Sequence, residues 1–290
     1  MNLQNILSEI EKVDPEVYER LDTRRSAMKD FAGFSGKVAL AALPLALGSM
    51  FKKAYGQTPT DVINTLQFAL TLEYLEAAFY VGGVAGSGVQ TTASAAALAA
   101  LTKIRDHETT HVMYLKTVIT ALGSTPINSP VFDFTAGNGS NAGPFTGWNT
   151  NYDIFLAMAQ TFEDTGVRAY KGSAGSLINN KDVLTAALNI HSVEARHASH
   201  LRQMRRARGV ATGSPVYVGS IKPWIELNAS NIGGAYAAAV APNYAGEEIT
   251  VQGGVDIVAV GGVSASAASA CFDEPLTQAQ VLAIVDPFIV

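Results

Sequence analysis

Two tetrads in this chain set a carboxylate and an imidazole three residues apart: Glu108-Thr109-Thr110-His111 and Glu194-Ala195-Arg196-His197. On a helix, residues i and i+3 share a face, so each pair can aim both donors at one point. Each tetrad follows a single Glu by about one helix hairpin: Glu73 lies 35 residues before Glu108, and Glu163 lies 31 before Glu194. Four helices carrying these residues supply four carboxylates and two imidazoles. That donor set suits a carboxylate-bridged pair of iron or manganese ions inside a four-helix bundle. Seven residues after each lead Glu stands a tyrosine, Tyr80 after Glu73 and Tyr170 after Glu163, two turns along the same face. With 13 Glu and 5 His in 290 residues, chance supplies about 0.2 Glu-x-x-His matches.

Several neighbours compete for roles. Glu76 shares a face with Glu73, and either could be the first-helix ligand. The spacing to Tyr80, which mirrors that of Glu163 to Tyr170, favours Glu73 and leaves Glu76 beside the ligands or in solvent. Tyr80 and Tyr170 are the candidate catalytic residues, donating hydrogen bonds or electrons to an oxidising metal pair; as core aromatics with satisfied hydroxyls they need no function. His191, one turn before Glu194, is a candidate extra ligand. His107, adjacent to Glu108, points about 100° away and reads as a polar contact between helices. Asp106 and Asp164 are candidates to orient a ligating imidazole through its second ring nitrogen.

The elements that position these groups follow from periodicity. Helix one is expected over Pro59–Val81, with Thr58 as cap and Gly82-Gly83 as stop, and with Val62, Leu66, Ala69, Leu70, Glu73, Ala77 and Tyr80 on one stripe. A carboxylate inside an apolar stripe is costly unless it is paired, which a metal would do. Helix two is expected from Thr92 to Leu122, helix three from Tyr152 to Tyr170 with Asn151 as cap, and helix four from Lys181 to Arg208. The Gly-, Asn-, Pro- and Ser-rich stretch 124–150 is too long for an ordinary connection. It is the length expected of a crossover from the end of helix two to the start of helix three. Arg202, Arg205, Arg206 and Arg208 match the negative end of the fourth helix. Residues 211–290 read as one or two short strands, including Val255–Val260, or an irregular cap, then a closing helix from Thr277 to Val285. They cover the bundle or form a contact in a homo-oligomer.

At this point the chain resembles the ferritin-like superfamily, and within it the bacterial ferritin-like-domain proteins labelled desiccation-related. The resemblance is carried by Leu72–Tyr80, Asp106–His111 and Val193–His197, with Cys271–Thr277 as a C-terminal signature. It implies a mainly α fold: a ferritin-like four-helix bundle with a long crossover between helices two and three, plus the C-terminal cap and closing helix. It also implies two Fe or two Mn ions held by Glu73, Glu108, His111, Glu163, Glu194 and His197, and redox chemistry with a small oxidant, O2 or peroxide.

Composition bounds the rest. Nearly half the residues are hydrophobic and 16% are charged, enough for a sizeable core, and a net charge of −5 argues against nucleic acid or an anionic membrane as partner. The single cysteine, Cys271, excludes an internal disulfide and reads as a small buried apolar residue. Thr23–Lys29 resembles a twin-arginine export motif, followed by the charge-free run Val38–Phe51, too short to span a bilayer comfortably. The expected organisation is an export signal over 1–56, with cleavage after Gly56, a bundle over 57–210 and an extension over 211–290. The mature chain is expected outside the cytoplasm, without stable membrane insertion. The expected function is a di-metal protein reacting with O2 or peroxide in oxidative or desiccation stress. The alternative is a non-catalytic structural or metal-binding envelope protein.

Overall fold

The computed structural model describes residues 59–290, so the expectations for the export segment and for Thr58 lie outside the described residues. Four long helices form the bundle: α1 (Pro59–Ala85), α2 (Ala95–Ala121), α3 (Tyr152–Ala174) and α4 (Lys181–Thr212). α1 pairs closely with α2, and α3 with α4. The fold is the mainly helical bundle that the sequence predicts, with residues 124–150 crossing from α2 to α3.

The helix boundaries follow local chemistry. Asn151 caps α3 by accepting from the Asp153 and Ile154 amides, and Asn180 caps α4 by accepting from Val183. α2 starts later than expected: a separate short helix, Ser87–Thr92, ends before Ser94 caps a new helix through the Ala97 amide. Gly82 and Gly83 do not stop α1, which runs on to Ala85. They are positions of close approach. A Cβ on Gly83 would sit 2.1 Å from the Phe155 ring, and one on Gly82 would sit 2.8 Å from Trp148. α4 likewise passes through Gly209 and ends at Gly213, whose left-handed φ of 61° closes the helix.

α3 is the central element, buried at every position from Ile154 to Tyr170. One side meets the bundle and the other meets the C-terminal segment, which explains why polar residues recur along a helix with no solvent face. Gln160 donates to Ser230 O and to the Tyr244 hydroxyl, and Asn243 donates to Thr165 Oγ1. The Arg168 guanidinium gathers the cap. It pairs with Glu247 at 2.6 Å and donates to the carbonyls of Asn243, Ala245 and Glu274.

The cap contains α5 (Ala237–Tyr244), which the sequence reading missed, and α6 (Gln278–Val285), which Thr277 and Gln280 start with a reciprocal capping box. Its only paired strands among the described residues are Val251–Gln252 and Val255–Asp256, joined antiparallel across Gly253-Gly254. The expected strand through Val260 gives way to a short helix at Ile257–Gly261, because Asp256 caps the Val258 and Ala259 amides instead of extending the ladder. The final residues return to the crossover: Asp133 N–H donates to Phe288 O, and Val290 N–H donates to Val131 O. Asp133 fixes the crossover by accepting from the Thr135, Gly139 and Asn141 amides.

Two readings are corrected here. Cys271 is exposed, its thiol donating to Ala267 O on the surface of the cap, and is not a core residue. Arg202 and Arg205 do not serve a solvent-facing helix end; both are fully buried. Arg202 forks onto Asp164, which also accepts from the Tyr244 hydroxyl, and Arg205 donates to Gln160 and to the carbonyls of Val216, Ser230 and Asn231. Truncating one side of a buried pair leaves the other charge unpaired. Arg202→Ala should therefore cost about 3–5 kcal/mol of stability, read as a lowered midpoint in chemical unfolding. A midpoint within error of the parent would show that the pair does not hold the cap.

Candidate metal centre

All six sequence-predicted ligands meet at one level of the bundle: Glu73 from α1, Glu108 and His111 from α2, Glu163 from α3, and Glu194 and His197 from α4. All are buried. The His111 Nδ1 lies 2.9 Å from Glu108 Oε2, 3.2 Å from Glu73 Oε2 and 3.3 Å from Glu194 Oε1. The His197 Nδ1 lies 2.9 Å from Glu108 Oε1 and 3.1 Å from Glu163 Oε2. A ring nitrogen carries at most one hydrogen, so a proton alone does not satisfy three carboxylate oxygens gathered around one atom.

The donors sort into two sets, Glu73, Glu108, His111 and Glu194, and Glu108, Glu163, Glu194 and His197. Within each set, one atom per residue lies within 4.8 Å of the others, close enough to hold a metal ion. Glu108 and Glu194 belong to both. Among the six donors they are also the ones with buried oxygens that lack hydrogen-bond partners, Glu108 Oε1 and both oxygens of Glu194. His197 stands near the first of these but outside hydrogen-bonding geometry. Orphaned carboxylate oxygens in a dry core are costly unless a cation meets them. An all-carboxylate and imidazole donor set fits iron or manganese.

The electrostatics agree. Burial, then repulsion from Glu194, raises Glu108 to about 7, although the His111 and His197 imidazoles beside it oppose the rise. Burial and the other carboxylates hold Glu194 and Glu76 well above the usual range, and burial raises Glu163 as well. Burial disfavours charge on His197, but the Glu163 carboxylate, which it hydrogen-bonds, and the adjacent Glu108 outweigh it and lift the imidazole to about 11. The same contest raises His111, through Glu108, Glu194 and Glu73. The cluster thus retains protons at neutral pH that a cation would displace.

The tyrosines cross between halves. The Tyr80 hydroxyl on α1 donates to Glu163 Oε1 on α3 at 2.6 Å, and the Tyr170 hydroxyl on α3 donates to Glu73 Oε1 on α1. Each fixes one oxygen of a carboxylate that belongs to a single donor set. Gly166 makes room for the acids: a Cβ there would sit 2.9 Å from Glu194 Oε2 and 3.3 Å from Glu76 Oε1. Glu76 is outside both donor sets and, contrary to one expectation, is buried away from solvent.

The supporting residues differ from expectation. Asp106 is exposed and pairs with its neighbour Arg105, and Asp164 is committed to Arg202 and Tyr244, so neither orients an imidazole. His191 joins neither donor set; its environment is set by burial and by Asp273 and Lys171. His107 is the polar contact between helices that the sequence predicts, and the group it holds is a candidate ligand: its Nδ1 lies 3.0 Å from His197 Nε2. Burial and the adjacent His197 lower the His107 pKa, leaving a neutral ring able to accept. No equivalent hydrogen bond is present at His111 among the described residues. His107→Ala should therefore weaken metal binding at the His197 position by about 10- to 100-fold and leave the His111 position unchanged. A metal titration resolving two affinities reads this, and an equal loss at both positions contradicts it.

Four helices surround a buried cluster of carboxylates and imidazoles that could hold metal ions. The family model of the ferritin-like domain matches residues 61–207, from the first turns of α1 to the last turns of α4. The chain belongs to the ferritin-like domain family. Comparison with curated proteins and with solved structures returned no match.

Proposed function

We propose that the protein is an exported di-metal protein holding two iron or two manganese ions, and that it consumes a small oxidant, O2 or peroxide, in protection against oxidative or desiccation stress. The observation that carries the reading is the membership of Glu108 and Glu194 in both donor sets. When bound, such a pair of ions supplies redox chemistry and open positions for a small oxygen species. The chain's own residues do the rest. Four carboxylates balance two divalent charges, and His111 and His197 present their Nδ1 atoms. Tyr80 and Tyr170 keep their hydroxyl protons on Glu163 Oε1 and Glu73 Oε1. Glu76, held protonated by burial and its acidic neighbours, keeps a proton beside the cluster without adding another negative charge.

Export rests on the arginine motif and the charge-free run that follows it, both outside the described residues. The test is consumption of peroxide and of O2 by metal-loaded protein, repeated with Glu108→Ala and Glu194→Ala. Activity should depend on metal and vanish in both variants. Activity that survives in both removes this cluster from the chemistry. Metal uptake without consumption leaves a non-catalytic metal-binding protein.

A further inference from the structure

A cavity lies in the bundle core, stacked end-on against the acid cluster. Its walls include residues one turn from the donors on three helices: Ala69 is four residues before Glu73, Leu115 four after His111, and Ile190 four before Glu194. Tyr170 on the fourth helix forms the partition, since it lines the cavity and its hydroxyl reaches Glu73. The other end of the cluster is filled. There Phe79 packs on Phe155 at 4.9 Å, on Phe162 at 5.0 Å and on Tyr80 at 5.4 Å. The two halves of the bundle therefore share their donors but not their surroundings: Ala69, Ala169 and Ala187 leave a cavity at one end, where Phe79, Phe155 and Phe162 fill the other.

The size and chemistry of the cavity select its occupant. It offers about 20 Å³ to the centre of a water-sized molecule. One small molecule needs about 10–15 Å³ by the same measure, and a benzene-sized guest about 150 Å³. A benzene-sized guest is thus too large for the enclosed space. Water is disfavoured, because it needs two to four polar partners and the walls are overwhelmingly apolar. The Thr65 hydroxyl is turned to Asp61 O and that of Tyr170 to Glu73, which leaves the Ser173 hydroxyl inside and that of Tyr114 at the rim, too sparse a set to hold a water in the apolar interior. Tyr114 and Ala186 are only half-buried and form the rim between α2 and α4.

We propose that this cavity is a binding site for an apolar diatomic gas, O2 in the working protein, held one tyrosine away from the Glu73–His111 donors. The role of the gas rests on the metal reading above; its binding does not. Xenon is the probe, used on the full chain with and without metal, by pressurised crystals or by xenon NMR. One saturable xenon site against Ala69 and Ala187 is expected, metal or no metal. Ala187→Leu should abolish it, and Val118→Ala, which enlarges the cavity without crowding the core, should strengthen it. In metal-loaded protein, Ala187→Leu should slow reaction with O2 several-fold and leave reaction with hydrogen peroxide unchanged, because a polar, hydrogen-bonding oxidant gains nothing from a dry chamber. The absence of xenon from the parent protein overturns the proposal, as does equal slowing, or no slowing, of both oxidants. A chain that takes up no metal sinks the functional reading alone, since xenon occupancy still decides the cavity.

Discussion

Replacing Glu108 with Gln should strip metal from both positions and, in the same molecule, raise the stability of the metal-free protein above pH 7. The first effect follows from membership in both donor sets: one substitution removes a charged donor from each. The loss should exceed the roughly 10- to 100-fold that outer-shell substitutions cost in affinity. The second effect has the opposite sign and a separate cause. Burial and Glu194 raise the Glu108 carboxyl to about 7, so its ionised form is the disfavoured one despite its contacts with both histidines. Gln keeps the shape of the protonated acid and cannot ionise. Metal titration and thermal unfolding of the same preparation read both effects. A variant that melts lower without metal at pH 8 would show that Glu108 is a stabilising ion-pair partner and not a strained ligand.

Metal-free protein should lose stability as pH rises from about 4.5 upward, the reverse of ordinary acid denaturation. An acid whose folded pKa is raised binds more protons when folded than when unfolded, so stability falls as pH climbs from the unfolded value through the folded one. For Glu108 that window runs from about 4.5 to about 7, and Glu76, Glu163 and Glu194 shift in the same direction. His197 extends the decline from 6.5 to about 11, because its stabilising charge is lost as pH rises through the folded value. His107 and His191 are lowered and work the other way below 6.5, two partly buried imidazoles against four buried carboxyls. Bound metal should invert the profile, since it displaces these protons and binds more tightly as pH rises. At a free metal concentration near 1,000 times Kd, the gain is about 4 kcal/mol, or roughly 8–16 °C in Tm at about 2–4 °C per kcal/mol for a domain of this size. Thermal scans from pH 5 to 8 with and without metal check the crossing. Parallel curves would mean that the carboxyls are not linked to metal.

The donors were legible because helix geometry transmits them without loss: a spacing of three fixes Glu108 with His111 and Glu194 with His197, and a hairpin length fixes which helix brings Glu73 and Glu163. The second buried face of α3 was not legible. Gln160, Asp164 and Arg168 recur every fourth residue, a stripe that reads as solvent-facing until the cap is seen to cover it. Arg202 and Arg205 were lost for the same reason, since a helix-end dipole explains a basic cluster as well as a buried pair does. Gly82 and Gly83 misled because a glycine required by a neighbouring ring looks like one required by a helix stop. His107 was legible as a polar contact between helices, though its partner was not. It precedes Glu108 by one residue, and a histidine there can reach the ring of His197 only if α2 and α4 face each other across the site.

The most direct test of the centre is elemental analysis of the protein purified without added metal or chelator, followed by anaerobic supply of Fe(II) or Mn(II). About two iron or manganese atoms per chain are expected, one for each donor set that Glu108 and Glu194 join. No metal on isolation and none taken up from either ion would contradict the account, leaving a bundle that keeps the carboxylates and histidines together without a cation between them.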